Sequence, residues 1–145
     1  MSSTATIARQ LLLACGVMLA QHAAAAPHAV VKELMTQDLP DIPGKEVLMI
    51  TVDFPPGAVD PVHKHDAHAV VYVLEGSIVM GLKGGKEVTL TKGQTFYEGP
   101  NDIHTVGRNA SNTQPARFVV TLIKPKNAPF FIPVSEGPWS RHRHP

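Results

Sequence analysis

Apolar and β-branched residues in this chain come in short runs broken by glycine, proline and charged residues, and no segment sustains a helical period. The runs predict strands at 46–54, 69–74, 77–82, 88–90, 95–97, 103–108 and 117–123. The first five are each followed by a chain-reversal signal. Pro55-Pro56-Gly57 stops the first run, Glu75-Gly76 the second, and Gly99-Pro100-Asn101-Asp102 the fifth. Lys83-Gly84-Gly85-Lys86 is the strongest hairpin signal, because both glycines can take positive φ. Many short strands at regular turn spacing imply an all-β sandwich or barrel.

The ends of the chain differ from this centre. Arg9 is the only charge ahead of the apolar run 11–20, and Ala23-Ala24-Ala25 follows with small side chains suited to cleavage. These are the three parts of a secretory signal, so residues 1–25 are expected to be removed and the protein to be periplasmic or secreted. A run of ten apolar residues is too short to span a bilayer, which needs ~20. Residues 26–44 hold Pro40 and Pro43, which prevent a long helix, and are expected to form an N-terminal arm. The barrel is expected over 45–125, and 126–145 as a C-terminal extension ending in a flexible tail.

Composition narrows the function classes. The 145 residues suit one domain, with 13 basic against 12 acidic side chains. No basic patch points to nucleic acid. Cys15 is the sole cysteine and lies in the expected leader, so thiol chemistry and a disulfide framework are unavailable to the exported chain.

Histidine carries the candidate chemistry. His63, His65 and His68 fall within six residues. On an extended strand the rings of His63 and His65 project to the same face, and two adjacent imidazoles form half of a metal site. His142 and His144 repeat the spacing in the tail, without a strand context.

The surroundings of the pair resemble the cupin superfamily. Gly57, five residues, His63, Lys64, His65 and a strand closing at Gly76 resemble the first cupin motif, G(X)5HXH(X)3,4E(X)6G. Gly93, five residues, Gly99-Pro100-Asn101, two residues and His104 resemble the second, G(X)5PXG(X)2H(X)3N. The resemblance implies a double-stranded β-helix, or jelly-roll, barrel that is often a homodimer, with His63, His65 and His104 holding one divalent metal.

The chain departs from both motifs. In the second, Asn101 stands at a glycine position, where it is the best substitute in a left-handed turn, and Asn109 falls one residue late, a change of little expected consequence. In the first, Ala69 stands where the family has its glutamate ligand. His68, one residue earlier, should point the other way, and becomes a ligand only if the Asp66-Ala67 loop turns it inward.

Three neutral imidazoles leave a divalent ion with about two positive charges, which favours an anionic, chelating ligand. Fe, Zn, Ni, Cu and Mn all remain open. Tyr72, Tyr97, Glu98 and Arg108 lie on or beside the strands. Arg108 could meet a substrate carboxylate, and Tyr97 is a second candidate for substrate contact. The expectation is an exported metal-dependent enzyme of the oxygenase type acting on a small anionic molecule. The alternative is a non-catalytic module that binds a small molecule or the metal.

Overall fold

A computed structural model describes residues 25–135. Residues 1–24 of the expected 1–25 signal and the tail histidines His142 and His144 lie outside the described residues. The described chain is all-β, as expected, and contains no helix. The strands are β1 (Val30–Asp38), β2 (Lys45–Phe54), β3 (His63–Lys64), β4 (His68–Glu75), β5 (Ser77–Leu82), β6 (Val88–Thr91), β7 (Thr95–Glu98), β8 (Ile103–Asn109), β9 (Ala116–Pro125) and β10 (Ile132–Pro133). They form two five-stranded antiparallel sheets, ordered β1-β2-β9-β4-β7 and β10-β3-β8-β5-β6.

Alternation along the strands builds the interior. On β2 the inward positions are Glu46, Leu48, Ile50, Val52 and Phe54, and their partners on β9 are Lys124, Leu122, Val120, Phe118 and Ala116. Ala69, Val71 and Val73 of β4 pair with Leu122, Val120 and Phe118 in turn. Burying each large side chain contributes about 1.5–3 kcal/mol, so this register is strongly preferred over a one-residue slip. Lys124 and Glu46 interrupt the apolar set with a buried ion pair at 2.6 Å. Lys124 Nζ also donates to the carbonyls of Pro125 and Ala128, at 3.2 and 2.6 Å, which fastens the chain as it leaves β9.

Four local expectations are corrected. The expected arm contains β1, which pairs with β2 along its length. Part of the expected extension forms β10, which pairs with β3. In the 83–86 turn only Gly84 takes positive φ (82°). Asn101 is not left-handed. Asp102 closes that turn instead, its amide donating to the Gly99 carbonyl (3.1 Å) while its carboxylate accepts from the Gly99 amide (2.7 Å).

Asn109 has more consequence than its late position suggested. Its buried amide donates to the carbonyls of Phe54, Pro55 and Gln114, and its oxygen accepts from the Ser111 amide. It thereby ties the end of β2 to the loop before β9. No helix among the described residues is long and apolar enough to cross a membrane.

Candidate metal centre

The site is assembled from three strands and a loop. β3 runs antiparallel to β8 with His63 directly opposite His104. Lys64 is exposed between buried His63 and His65, so both rings face inward. The three histidines each bring a ring nitrogen within 4.8 Å of the others. His63 lies 4.9 Å from His65 and 4.8 Å from His104 between ring centroids.

Backbone carbonyls set the tautomers. His63 Nδ1 donates to the Pro61 carbonyl at 2.8 Å, and His65 Nδ1 donates to the Phe130 carbonyl. Each contact leaves an unprotonated Nε2 for a metal, the usual way a histidine ligand is oriented. His104 turns Nδ1 to His63 Nε2 at 3.3 Å, and its Nε2 is buried without a partner among the described residues. Phe131 stacks on His63 at 4.3 Å and 23°.

Burial holds all three rings neutral at pH 7. It lowers His63 and His104 to about 4, with His63 adding to the effect on His104, and it lowers His65 as well. Neutral imidazoles are the form a divalent metal requires.

Glu98 ends β7 inside the same cluster. Its carboxylate is 3% exposed, with Oε2 3.7 Å from His65 Nε2 and 3.6 Å from His104 Nδ1. Since the imidazoles are neutral, these contacts are not ion pairs, and Oε2 has no hydrogen-bond partner among the described residues. Burial, then Asp102 and Asp60, pushes Glu98 up to about 7. Burial likewise raises Asp60 to about 6, against the pull of His28.

The histidines, Asp60 and Glu98 line a cavity of about 70 Å³ whose other walls are apolar, among them Val52, Met80, Phe118 and Phe131. That volume holds about two waters or a fragment of a few heavy atoms. No arginine or lysine among the described residues lines it.

The other candidates lie elsewhere. His68 is exposed, and its Nδ1 meets the Tyr97 hydroxyl at 2.7 Å on the outer face of the sheet. Arg108 faces Glu87 at 3.5 Å. None of the three lines the cavity. The loop at 66–67 does not turn His68 inward: Ala67 and Ala69 are buried while His68 is not.

Sequence reasoning placed Glu98 near the strands without a role, and missed Asp60, Phe130 and Phe131. The only signal for Glu98 in the sequence was its position at the end of a strand, one residue before the Gly99-Pro100 turn.

Comparison with known proteins agrees with this architecture. Residues 50–122, half of the chain, match the family described as Cupin domain. The pectin degradation protein KdgF of Dickeya dadantii (strain 3937) is 29% identical over 86 residues, covering 59% of this chain and 74% of that protein. A cupin domain from Bordetella pertussis Tohama I superposes with a TM-score of 0.55 at 24% identity, covering 70% of this chain and 98% of that one. An oxalate oxidase in complex with the substrate analogue glycolate gives 0.55 at 28% identity, covering 73% of this chain. The chain spans about half, 55%, of that oxidase.

Proposed function

Since the chain belongs to the Cupin domain family, we propose that His63, His65 and His104 hold one divalent metal ion, and that the protein is a metal-dependent enzyme of the oxygenase type acting on a small anionic substrate. The observation that carries this reading is the convergence of three buried, neutral imidazoles on one small apolar cavity. The donor set fits an ion. Two imidazoles have their Nδ1 committed to carbonyls, and Glu98 Oε2 is a buried polar atom without a hydrogen-bond partner among the described residues. Burying such atoms is costly unless something satisfies them.

A bound ion would supply Lewis acidity and, if redox-active, electron transfer. The chain's own residues do the rest. The Pro61 and Phe130 carbonyls keep the donor nitrogens unprotonated. The apolar walls exclude water and restrict what enters to a small group. With no cation on the cavity wall, the negative charge of a substrate has only the metal to meet. The oxalate oxidase neighbour, crystallised with a small anionic substrate analogue, supports the same substrate class.

Elemental analysis of the purified protein should find about one divalent metal per chain. His63→Ala and His104→Ala should each abolish tight binding, while His68→Ala leaves it intact. A folded protein that takes up no metal even after loading would sink the proposal, and equal loss in His68→Ala would refute the ligand set. The iron-loaded protein should consume oxygen with some member of a panel of small acids, diketones and thiols that includes oxalate. No uptake across that panel, with metal bound, assigns the site to binding rather than catalysis.

A further inference from the structure

The family's glutamate position is Ala69, yet the cluster does not lack a carboxylate. In the β4–β7 pairing Ala69 lies directly opposite Glu98. Directly opposed residues of an antiparallel pair project to the same face, with Cβ atoms about 4.5–5.5 Å apart. Here that face is the interior, since both residues are buried, Ala69 fully. A glutamate side chain rooted at 98 can therefore reach into the volume that a side chain from 69 would fill, and the methyl group of Ala69 leaves that volume open.

We infer that Glu98 is the fourth protein ligand of the metal, its carboxylate supplied from the neighbouring strand in place of the one missing at Ala69. This rests on the proposed three-histidine metal site and completes its donor set. Ligands bonded at about 2.1 Å in a tetrahedral arrangement lie about 3.4 Å apart. Glu98 Oε2 stands 3.6 Å from His104 Nδ1 and 3.7 Å from His65 Nε2, and the His104 Nδ1 to His63 Nε2 distance is 3.3 Å. These three separations are close to that edge length, and the donor atoms of the three histidines all lie within 4.8 Å of one another. The same Oε2 is buried and has no hydrogen-bond partner among the described residues. A structural carboxylate in such a place would be expected to accept hydrogen bonds.

The charge of the site changes accordingly. Three neutral imidazoles and a divalent ion carry about two positive charges, and Glu98 reduces this to about one. His68, on the opposite face, has no part in it.

Cobalt titration of the full chain tests the assignment, with affinity and the visible spectrum of the bound ion as separate readouts. Glu98→Gln keeps the shape and removes the charge. It should weaken cobalt binding by about tenfold or more and shift the spectrum. In Glu98→Ala the loss should be similar, and adding Ala69→Glu to that variant should restore most of the affinity, because the carboxylate returns to the same volume from the opposing strand. Wild-type affinity and spectrum in both single variants, with binding still lost in His63→Ala, would overturn the inference and leave the three-histidine site standing. A weakened affinity with an unchanged spectrum at saturation would make Glu98 a positioning residue and overturn its role as ligand. A wild-type chain that binds no cobalt overturns both readings.

Discussion

Glu98 is a residue whose place costs the protein stability. Its folded pKa of about 7 stands above the ordinary 4.5, chiefly because burial penalises the carboxylate. The folded state therefore binds the proton more tightly than the unfolded chain does. The associated stability is complete below pH 4.5 and is lost as the pH rises through about 7. The shift corresponds to about 3 kcal/mol. Metal-free Glu98→Gln should thus melt several degrees above metal-free wild type at pH 8 and show little difference at pH 4. Equal melting temperatures at both pH values would refute this account. Saturating metal should reverse the order, since binding stabilises the form that binds better. At this scale the sequence was informative about single positions. His63, His65 and His104 could be read from the resemblance to the cupin motifs, and the same resemblance marked Ala69 as a missing carboxylate. Glu98 could not be read as its replacement, because the two residues are brought opposite each other by a pairing across 29 positions of chain, and no local pattern encodes that register.

Elements with an inward apolar face were legible, and those held by backbone pairing alone were not. The runs forming β2, β4, β5, β8 and β9 announce themselves by their apolar and β-branched side chains. β1 is exposed at every position and is held by its ladder with β2, so its side chains give no burial pattern. β3 and β10 have two residues each, too few for any period. Turns show a similar division. Gly76 and Gly84 both take positive φ, at 70° and 82°, but their surroundings differ. A Cβ on Gly84 would meet nothing within 4 Å, whereas one on Gly76 would lie 2.4 Å from the Pro115 carbonyl oxygen and 2.9 Å from Ala116 Cα. Gly84→Ala should cost about 1–2 kcal/mol for the left-handed backbone alone. Gly76→Ala adds a clash with backbone that cannot swing away, and should cost at least about 3 kcal/mol. Urea unfolding of both variants checks the difference, and equal midpoints would show that the β4–β5 junction yields more easily than its packing implies.

At the scale of the whole molecule, the metal centre depends on chain that lies beyond the motif-bearing barrel. Both cupin-like motifs end before β9, yet the segment after β9 supplies the Phe130 carbonyl that orients His65 and the Phe131 ring that stacks on His63. Lys124 starts this segment on its course by holding the Ala128 carbonyl, and β10 anchors its far end against β3, with the Val134 amide donating to the Val62 carbonyl at 3.0 Å. The segment was legible only as an extension, since Pro129 and Pro133 give it no strand pattern and its partners are set by tertiary packing. A chain ending at Lys126 should therefore keep the two sheets apart from the β3–β10 pair, but bind metal about 10–100-fold more weakly, as loss of an outer hydrogen-bond partner does elsewhere. A chain ending at Ser135 retains every one of these contacts and should bind as the full chain does. Comparing the two by metal titration, with circular dichroism to verify that the shorter chain still folds, separates the contribution of the segment from that of the barrel. Equal affinities would mean that the motif histidines orient themselves. A loss confined to the shorter chain would extend the functional unit to residues that the motifs do not contain.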